Sequence, residues 1–121
     1  MTAVVIIDDS PEDRELLTER IVQAGVHDCV AFQNADAAID HLNTKSADVI
    51  FLDYSLENEV ALARIPQLRS YAPGAKLVLI TGYDILGLPD LVKRFDVGFM
   101  SKHLSQQGAY DAIQSILADA T

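Results

Sequence analysis

The sequence predicts a doubly wound α/β domain, in which a five-stranded parallel sheet is flanked by five helices on both faces. Five short apolar runs, rich in Val and Ile, alternate with stretches whose apolar residues recur at helical spacing. The apolar runs show no polar alternation, which is typical of strands buried on both faces of a parallel sheet. Alternation of this kind along one chain indicates successive β-α units.

Length, composition and charge restrict the class of protein. The chain has 121 residues, of which 50% are hydrophobic and 22% charged, as expected for one globular domain. Its 18 acidic and 9 basic residues give a net charge of −9, which disfavours direct binding to nucleic acid or anionic membranes. The single cysteine, Cys29, excludes an internal disulfide and a cysteine-based zinc site. Without a basic leader or a membrane-spanning apolar run, the sequence predicts a cytoplasmic protein.

The first β-α unit carries the clearest boundary signals. We predict a strand over 4–7, which consists of Val and Ile. Ser10 suits the N-cap of the following helix and Pro11 its first position, while Gly25 suits a left-handed C-terminal cap. One face of this helix is expected to point inward and carries Leu16, Leu17, Ile21 and Ala24.

The same pattern predicts four further units. Their strands are predicted over 29–32, 49–52, 77–80 and 97–100. Asn34 is expected to cap the second helix, Pro73-Gly74 to form a turn, and the last helix to begin near Ser105. The apolar faces of these helices are predicted to contain Ala38, Ile39 and Leu42 in the second, Val60, Leu62, Ile65 and Leu68 in the third, Leu91, Val92 and Phe95 in the fourth, and Ala109, Ile113, Ile116 and Leu117 in the fifth.

Polar side chains of reactive types follow the apolar strands. Asp8 and Asp9 follow the first strand, and Asp53 follows the third. Thr81 follows the fourth strand, and Lys102 lies just beyond the fifth. Because the carboxyl ends of parallel strands meet at one edge, we expect these side chains to lie together where such sheets bind ligands. Each residue alone has a simpler explanation, as a helix N-terminal charge, a turn residue or a surface charge. Their coincidence at one edge favours a site.

The residue types in this group suit phosphoryl transfer. Three carboxylates close together repel one another unless a cation or a proton intervenes. Mg²⁺ suits them better than Ca²⁺, because a few carboxylates and several waters complete its octahedron. Lys102 would balance the remaining charge, and Thr81 could donate a hydrogen bond. Asp53 stands alone at its strand end and is the expected nucleophile, whereas the adjacent pair Asp8 and Asp9 is better suited to the metal.

These segments resemble the receiver domain of bacterial two-component response regulators. The resemblance covers the whole chain in order and is carried by residues 4–10, 49–53, 77–82 and 99–102. It implies a flavodoxin-like receiver fold over residues 1–121 without an output domain, as in chemotaxis-type regulators. It also implies that the protein is not an enzyme but a stoichiometric phosphoryl acceptor, with self-catalysed phosphorylation and dephosphorylation.

The resemblance implies a role for each residue of the group. Asp53 would accept a phosphoryl group from a histidine kinase or a histidine phosphotransfer protein. Mg²⁺ would be held by Asp8, Asp9 and Asp53 together with the backbone carbonyl of Ser55.

Two further residues would contact or follow the phosphoryl group. Thr81 and Lys102 would contact its oxygens, and the rotamer of Phe99 would follow Thr81. The signal would then pass through protein contacts to a downstream target, with the protein a monomer or a phosphorylation-dependent dimer. The alternative within the family is a phosphorelay intermediate or phosphate sink that needs no target.

The sequence departs from the family pattern at two places. His103 follows Lys102, where most receivers have a proline with a cis bond, so this bond is either trans or strained. After Asp53 the usual Met-Pro is replaced by Tyr54-Ser55. The spacing of 28 from Asp53 to Thr81 (81 − 53) is short and predicts that the third helix or its following turn is trimmed.

Two other classes are less consistent with the residues. A small phosphatase with an aspartyl-phosphate intermediate would need a second acid two residues after the nucleophile, where Ser55 stands. A flavodoxin-like cofactor carrier would need a hydroxyl-rich or glycine-rich loop after the first strand, where Asp8 and Asp9 would repel a phosphate.

Overall fold

The computed structural model describes residues 2–56 and 58–120. Within this part of the chain, five strands alternate with five α-helices. The strands are β1 (Ala3–Ile7), β2 (Asp28–Phe32), β3 (Val49–Asp53), β4 (Lys76–Thr81) and β5 (Gly98–Ser101). The helices are α1 (Pro11–Gln23), α2 (Ala35–Leu42), α3 (Ile65–Tyr71), α4 (Leu88–Phe95) and α5 (Gln106–Asp119), and a 3-10 helix (Ala61–Arg64) precedes α3. No helix in the described ranges has the length and apolar character needed to cross a membrane.

The strands form one parallel sheet in the order β2-β1-β3-β4-β5. The chain starts at β1, the second strand of the sheet, and steps outward to the edge strand β2. It then crosses back past β1 to β3 and proceeds through β4 to the other edge at β5. The order therefore reverses between β1 and β3, and ligands bind open α/β sheets at the carboxyl ends of the strands beside such a point. The predicted doubly wound sheet is confirmed, and β1 and β3 are the strands that end in the predicted acids.

Alternate residues of the strands build a separate core on each face of the sheet. On one face, the strand residues Val5, Ile7, Ile50, Leu52, Leu77 and Leu79 pack with α2 and α3. On the other face, Val4, Ile6, Val49, Phe51, Val78, Ile80 and Met100 pack with α1 and α5. Both faces of the central strands are thus buried, as the absence of polar alternation predicts.

The helix starts follow the predicted caps. The side-chain oxygens of Ser10, Asn34 and Ser105 each accept a hydrogen bond from the backbone N–H three residues later. Gly25 follows α1 with φ +100°, a left-handed conformation that favours glycine. These caps fix the helix ends, and with them the loops at the carboxyl edge of the sheet.

Two predicted core positions are wrong. Leu16 is 44% exposed, because the inward face of α1 is defined by Leu17 and Ile21, and a step of one residue rotates a side chain away from that face. Val60 is 69% exposed, because it precedes the 3-10 helix instead of lying within α3. Helix α3 has only seven residues, in agreement with the predicted trimming.

Candidate functional site

Two aspartates end the strands that flank the reversal point. Asp8 directly follows β1 and is fully buried, and its Oδ1 accepts a hydrogen bond from the Ser10 backbone N–H at 3.0 Å. Asp53 is the last residue of β3 and is 3% exposed. Its Oδ1 accepts the Ser55 backbone N–H at 3.0 Å, so the loop after each strand turns back to hold the carboxylate in place.

The acidic cluster fits a divalent cation. One carboxylate oxygen each of Asp8, Asp9 and Asp53 lies within 4.8 Å of the others. Asp8 Oδ2 is buried and, among the described atoms, accepts no hydrogen bond of good geometry, so its charge is met by an ion pair with Lys102 Nζ at 2.7 Å. An incompletely satisfied buried carboxylate beside two others is an environment that a hard cation stabilises. The Ser55 backbone carbonyl stays an implied ligand.

Burial controls the protonation of Asp8. Loss of hydration raises the pKa of Asp8 from 3.8 to about 6, and repulsion from Asp53 adds to that rise. The close contact with the charged Lys102 and the hydrogen bond from the Ser10 amide act in the opposite direction. At neutral pH the carboxylate is therefore ionised at a cost to the folded state.

Lys102 crosses from β5 to the acidic cluster. Its Nζ lies 2.7 Å from Asp8 Oδ2, 3.2 Å from Asp53 Oδ2 and 2.9 Å from Asp13 Oδ2. Burial by itself lowers the pKa of Lys102, but the three carboxylates outweigh that effect and raise the pKa above its ordinary value. The ammonium is therefore charged and held among carboxylates.

Thr81 and Phe99 occupy neighbouring positions on β4 and β5. Thr81 ends β4 and is 1% exposed, and its Oγ1 accepts the Tyr83 backbone N–H at 3.1 Å. The backbone carbonyl of Thr81 accepts the Lys102 backbone N–H at 2.9 Å. Phe99 is half-buried against the sheet core and also lines a surface cleft with Gly82 and Tyr83, so one side of its ring faces open space.

His103 takes an unforeseen place beside β4. Among the described residues no peptide bond is cis, so the Lys102-His103 bond is trans. The His103 ring is exposed, and its Nε2 lies 2.7 Å from the Gly82 carbonyl oxygen, close enough for an N–H donor on that nitrogen to bind it. A Cβ at position 82 would lie only 3.1 Å from the same nitrogen, so glycine there makes room for the ring. His103 thus joins the loop that carries Lys102 to the loop that follows Thr81.

The loop after Asp53 is anchored by ion pairs. Arg64 in the 3-10 helix pairs with Glu59 at 2.9 Å and with Asp36 in the first turn of α2. Glu59 also accepts the Ala35 backbone N–H at 3.4 Å. These contacts tie the segment between β3 and α3 to the start of α2.

The predicted site residues lie at one edge of the sheet, but four contacts near them were not predicted. The structure brings together Asp8, Asp9, Asp53 and Lys102, with Thr81 on the strand next to Asp53. The missed contacts are Asp13 with Lys102, His103 with Gly82, and Arg64 with Asp36 and Glu59. Three of these contacts join residues 21 to 89 positions apart, which sequence spacing does not reveal, whereas Glu59 and Arg64 are five positions apart.

A buried acidic cluster with a lysine, at the reversal point of a doubly wound sheet, defines a class of cation-assisted phosphoryl-transfer sites. A sequence model described as response regulator receiver domain matches residues 4–115 of this chain. The chain belongs to the response regulator receiver domain family. Membership implies phosphoryl acceptance on an aspartate in two-component signalling.

Individual relatives resemble the chain more distantly. The DNA-binding transcriptional regulator NtrC of Klebsiella pneumoniae is 27% identical over 81 residues, a match that covers 67% of this chain and 17% of that regulator. The solved structure of chemotaxis protein CheY4 from Vibrio cholerae has a TM-score of 0.83 at 17% identity, and the match covers 96% of this chain and 98% of that chain.

A third relative was solved with ligands. A response regulator protein from Burkholderia pseudomallei, with a phosphorylated aspartic acid, calcium ion and citrate, has a TM-score of 0.80 at 19% identity. The match covers 98% of this chain and 70% of that chain. At these identities the structural likeness establishes the receiver fold.

Proposed function

We propose that the protein accepts a phosphoryl group on Asp53 from a histidine kinase or a histidine phosphotransfer protein, and signals through phosphorylation-dependent protein contacts. The observation that carries the proposal is the Asp53 carboxylate, which is buried at the end of β3 and pairs with Lys102 at 3.2 Å. One carboxylate oxygen of Asp8 and one of Asp9 lie within 4.8 Å of an oxygen of Asp53. Asp8 and Asp9 are neighbours in sequence, whereas Asp53 has no acidic neighbour. Asp53 is thus the carboxylate best suited to act as the nucleophile.

The chemistry is a transfer between two phosphoryl carriers. An oxygen of the Asp53 carboxylate forms a bond to phosphorus while the phosphorus–nitrogen bond of a phosphohistidine breaks, and the electron pair stays on the imidazole nitrogen. The Lys102 ammonium donates to the phosphoryl oxygens, and the Thr81 hydroxyl donates from the neighbouring strand. Asp8, Asp9 and Asp53, with the Ser55 carbonyl, would hold Mg²⁺. Mg²⁺ would neutralise charge on the carboxylates and the transferring group.

A movement of Thr81 supplies the step from chemistry to signalling. The Thr81 Oγ1 accepts a hydrogen bond from the Tyr83 backbone N–H at 3.1 Å. Its own O–H is a separate donor, which would move toward a phosphoryl group on Asp53. That displacement frees space beside the Phe99 ring, which already borders the cleft next to Gly82. Helix α4 contains no fully buried residue, so it can shift at small cost. We therefore propose α4, β5 and α5 as the surface that reports phosphorylation.

Intact-mass measurement tests the acceptor. The wild type, incubated with Mg²⁺ and acetyl phosphate, is expected to gain one phosphoryl mass, and Asp53→Asn is expected to gain none. Asp40→Asn, which removes an exposed acid from α2, should behave as the wild type. If Asp53→Asn gains phosphoryl mass as readily as the wild type, the assignment of the acceptor is wrong.

Backbone amide shifts test the signalling surface. Adding beryllofluoride and Mg²⁺ is expected to shift amides in residues 85–112 as well as those around Asp9, Asp53 and Thr81. Shifts confined to the three loops would favour a phosphorelay intermediate or phosphate sink over a signalling role.

Cellular location is a further proposal. We propose action in the cytoplasm, since the proposed donors use cytoplasmic ATP. Fractionation of the native cell tests this location.

A further inference from the structure

Asp13 reaches the site from outside the acidic cluster. It lies in the first turn of α1, and its Oδ2 accepts a hydrogen bond from Lys102 Nζ at 2.9 Å across 89 positions of sequence. The helix dipole favours an acid in the first turn of a helix, which explains Asp13 in part. The Asp13 backbone N–H also donates a hydrogen bond to the side chain of the N-cap residue Ser10. The dipole, however, does not require a contact with Lys102.

The ammonium of Lys102 has three hydrogens and faces three carboxylates. The oxygens of Asp8, Asp13 and Asp53 lie 2.7, 2.9 and 3.2 Å from Nζ. A lysine donates at most one hydrogen bond from each of its three N–H groups. Lys102 Nζ donates hydrogen bonds to Asp13 and Asp53 and forms an ion pair with Asp8. A phosphoryl group added to Asp53 therefore competes with Asp13 and Asp8 for one ammonium.

Asp13 is the partner that Lys102 can leave at the smallest cost. Its side chain is 41% exposed, so water can solvate the carboxylate once the ion pair opens. The Asp8 side chain is 1% exposed and would be left as a buried charge without its counter-ion. Asp53 carries the phosphoryl group itself.

We propose that Asp13 is a positioning residue that holds Lys102 in the unphosphorylated protein and competes with the phosphoryl group for it. This inference rests on the proposed function. Removing the Asp13 charge leaves Lys102 held by Asp8 and Asp53, so the lysine stays at the site and is more available to the phosphoryl oxygens. Asp13 thereby lowers the affinity of the resting protein for a phosphoryl group.

Beryllofluoride affinity tests the competition directly. With saturating Mg²⁺, Asp13→Asn is expected to bind beryllofluoride about two- to fivefold more tightly than the wild type, the factor that corresponds to one exposed ion pair. Asp13→Glu keeps a carboxylate at the position and should return toward the wild-type affinity. Glu12→Gln removes a neighbouring charge from the same helix turn, where Glu12 contacts Ser10, and is the matched control.

The effect is also expected to depend on Lys102. In a Lys102→Met background, Asp13→Asn should leave beryllofluoride affinity unchanged, because the competition acts through the ammonium. A helical circular dichroism spectrum and cooperative melting of each variant show that it is folded.

Four results would overturn the proposal. Equal effects of Asp13→Asn and Glu12→Gln would show general electrostatics, and a weaker affinity in Asp13→Asn would show that Asp13 assists binding. A wild type that gains no phosphoryl mass would reject the proposed function together with this inference. A wild type that is phosphorylated while Asp13→Asn binds beryllofluoride unchanged would reject the inference alone.

Discussion

Replacing Asp8 by asparagine should make the metal-free protein more stable at neutral pH. The Asp8 side chain is fully buried, and its pKa of about 6 lies well above the ordinary value of 3.8. The folded protein therefore pays to ionise this carboxylate. Asparagine has nearly the same shape and keeps an oxygen for the Ser10 amide, but it carries no charge.

The magnitude follows from the linkage between protonation and folding. Raising the pKa from 3.8 to about 6 corresponds to about 3 kcal/mol less stability once the group is ionised in both states. The attraction of Lys102 is already included in that pKa. Because the unfolded chain loses this proton at lower pH than the folded chain, the Asp8 contribution to the free energy of unfolding falls as pH rises from 3.8 to about 6. Above that pH range the full destabilisation by ionised Asp8 is present, and below it Asp8 is protonated in both states and causes none.

Urea unfolding followed by circular dichroism measures this difference. In the presence of a chelator, the free energy of unfolding of Asp8→Asn is expected to exceed that of the wild type by about 3 kcal/mol at about pH 8. This difference should disappear at about pH 4. Asp40→Asn removes an exposed acid and should show no such gap. An Asp8→Asn variant that is equally or less stable than the wild type at about pH 8 would show that ionised Asp8 does not destabilise the folded protein.

The remaining predictions concern the cation and the loops. Millimolar Mg²⁺ should raise the melting temperature of the wild type. At a hundredfold excess over the dissociation constant, the stabilisation is about 2.7 kcal/mol. Differential scanning calorimetry measures this shift, and an unchanged transition would show that no cation binds. Gly82→Ala should lower the free energy of unfolding by about 1 kcal/mol, because the new Cβ meets the His103 ring at 3.1 Å and disturbs a bond to the Gly82 carbonyl. In a His103→Ala background the same change should cost less in urea unfolding, and additive effects would argue against this contact.

The fold could be predicted because its signals are local. Uninterrupted apolar runs mark buried strands, and Ser10, Asn34 and Ser105 mark helix starts through bonds that span three residues. The errors arose where a local pattern was ambiguous. Leu16 and Leu17 are adjacent and both apolar, and only the packing of α1 on the sheet decides that Leu17 is the buried one.

The site could be predicted only in part, for a related physical reason. Parallel strands bring their carboxyl ends together whatever the loops do, so Asp8, Asp53 and Thr81 were placed at one edge by topology alone. The contacts of Asp13 and His103 depend on how helix α1 and the two loops after β4 and β5 approach one another. Sequence spacing does not encode that approach.

The electrostatics of the site link its stability to its proposed function. At Lys102 Nζ one positive charge faces three carboxylates, a local sum of −2 (1 − 3), and phosphorylation adds nearly two further negative charges. The burial that makes ionised Asp8 costly also makes a cation beside it favourable, because both effects follow from the same poorly solvated charge. Asp8→Asn should therefore be more stable than the wild type without metal, and added Mg²⁺ should stabilise it less than it stabilises the wild type. The cost of ionising Asp8 in the metal-free protein would then be a source of affinity for the proposed cation.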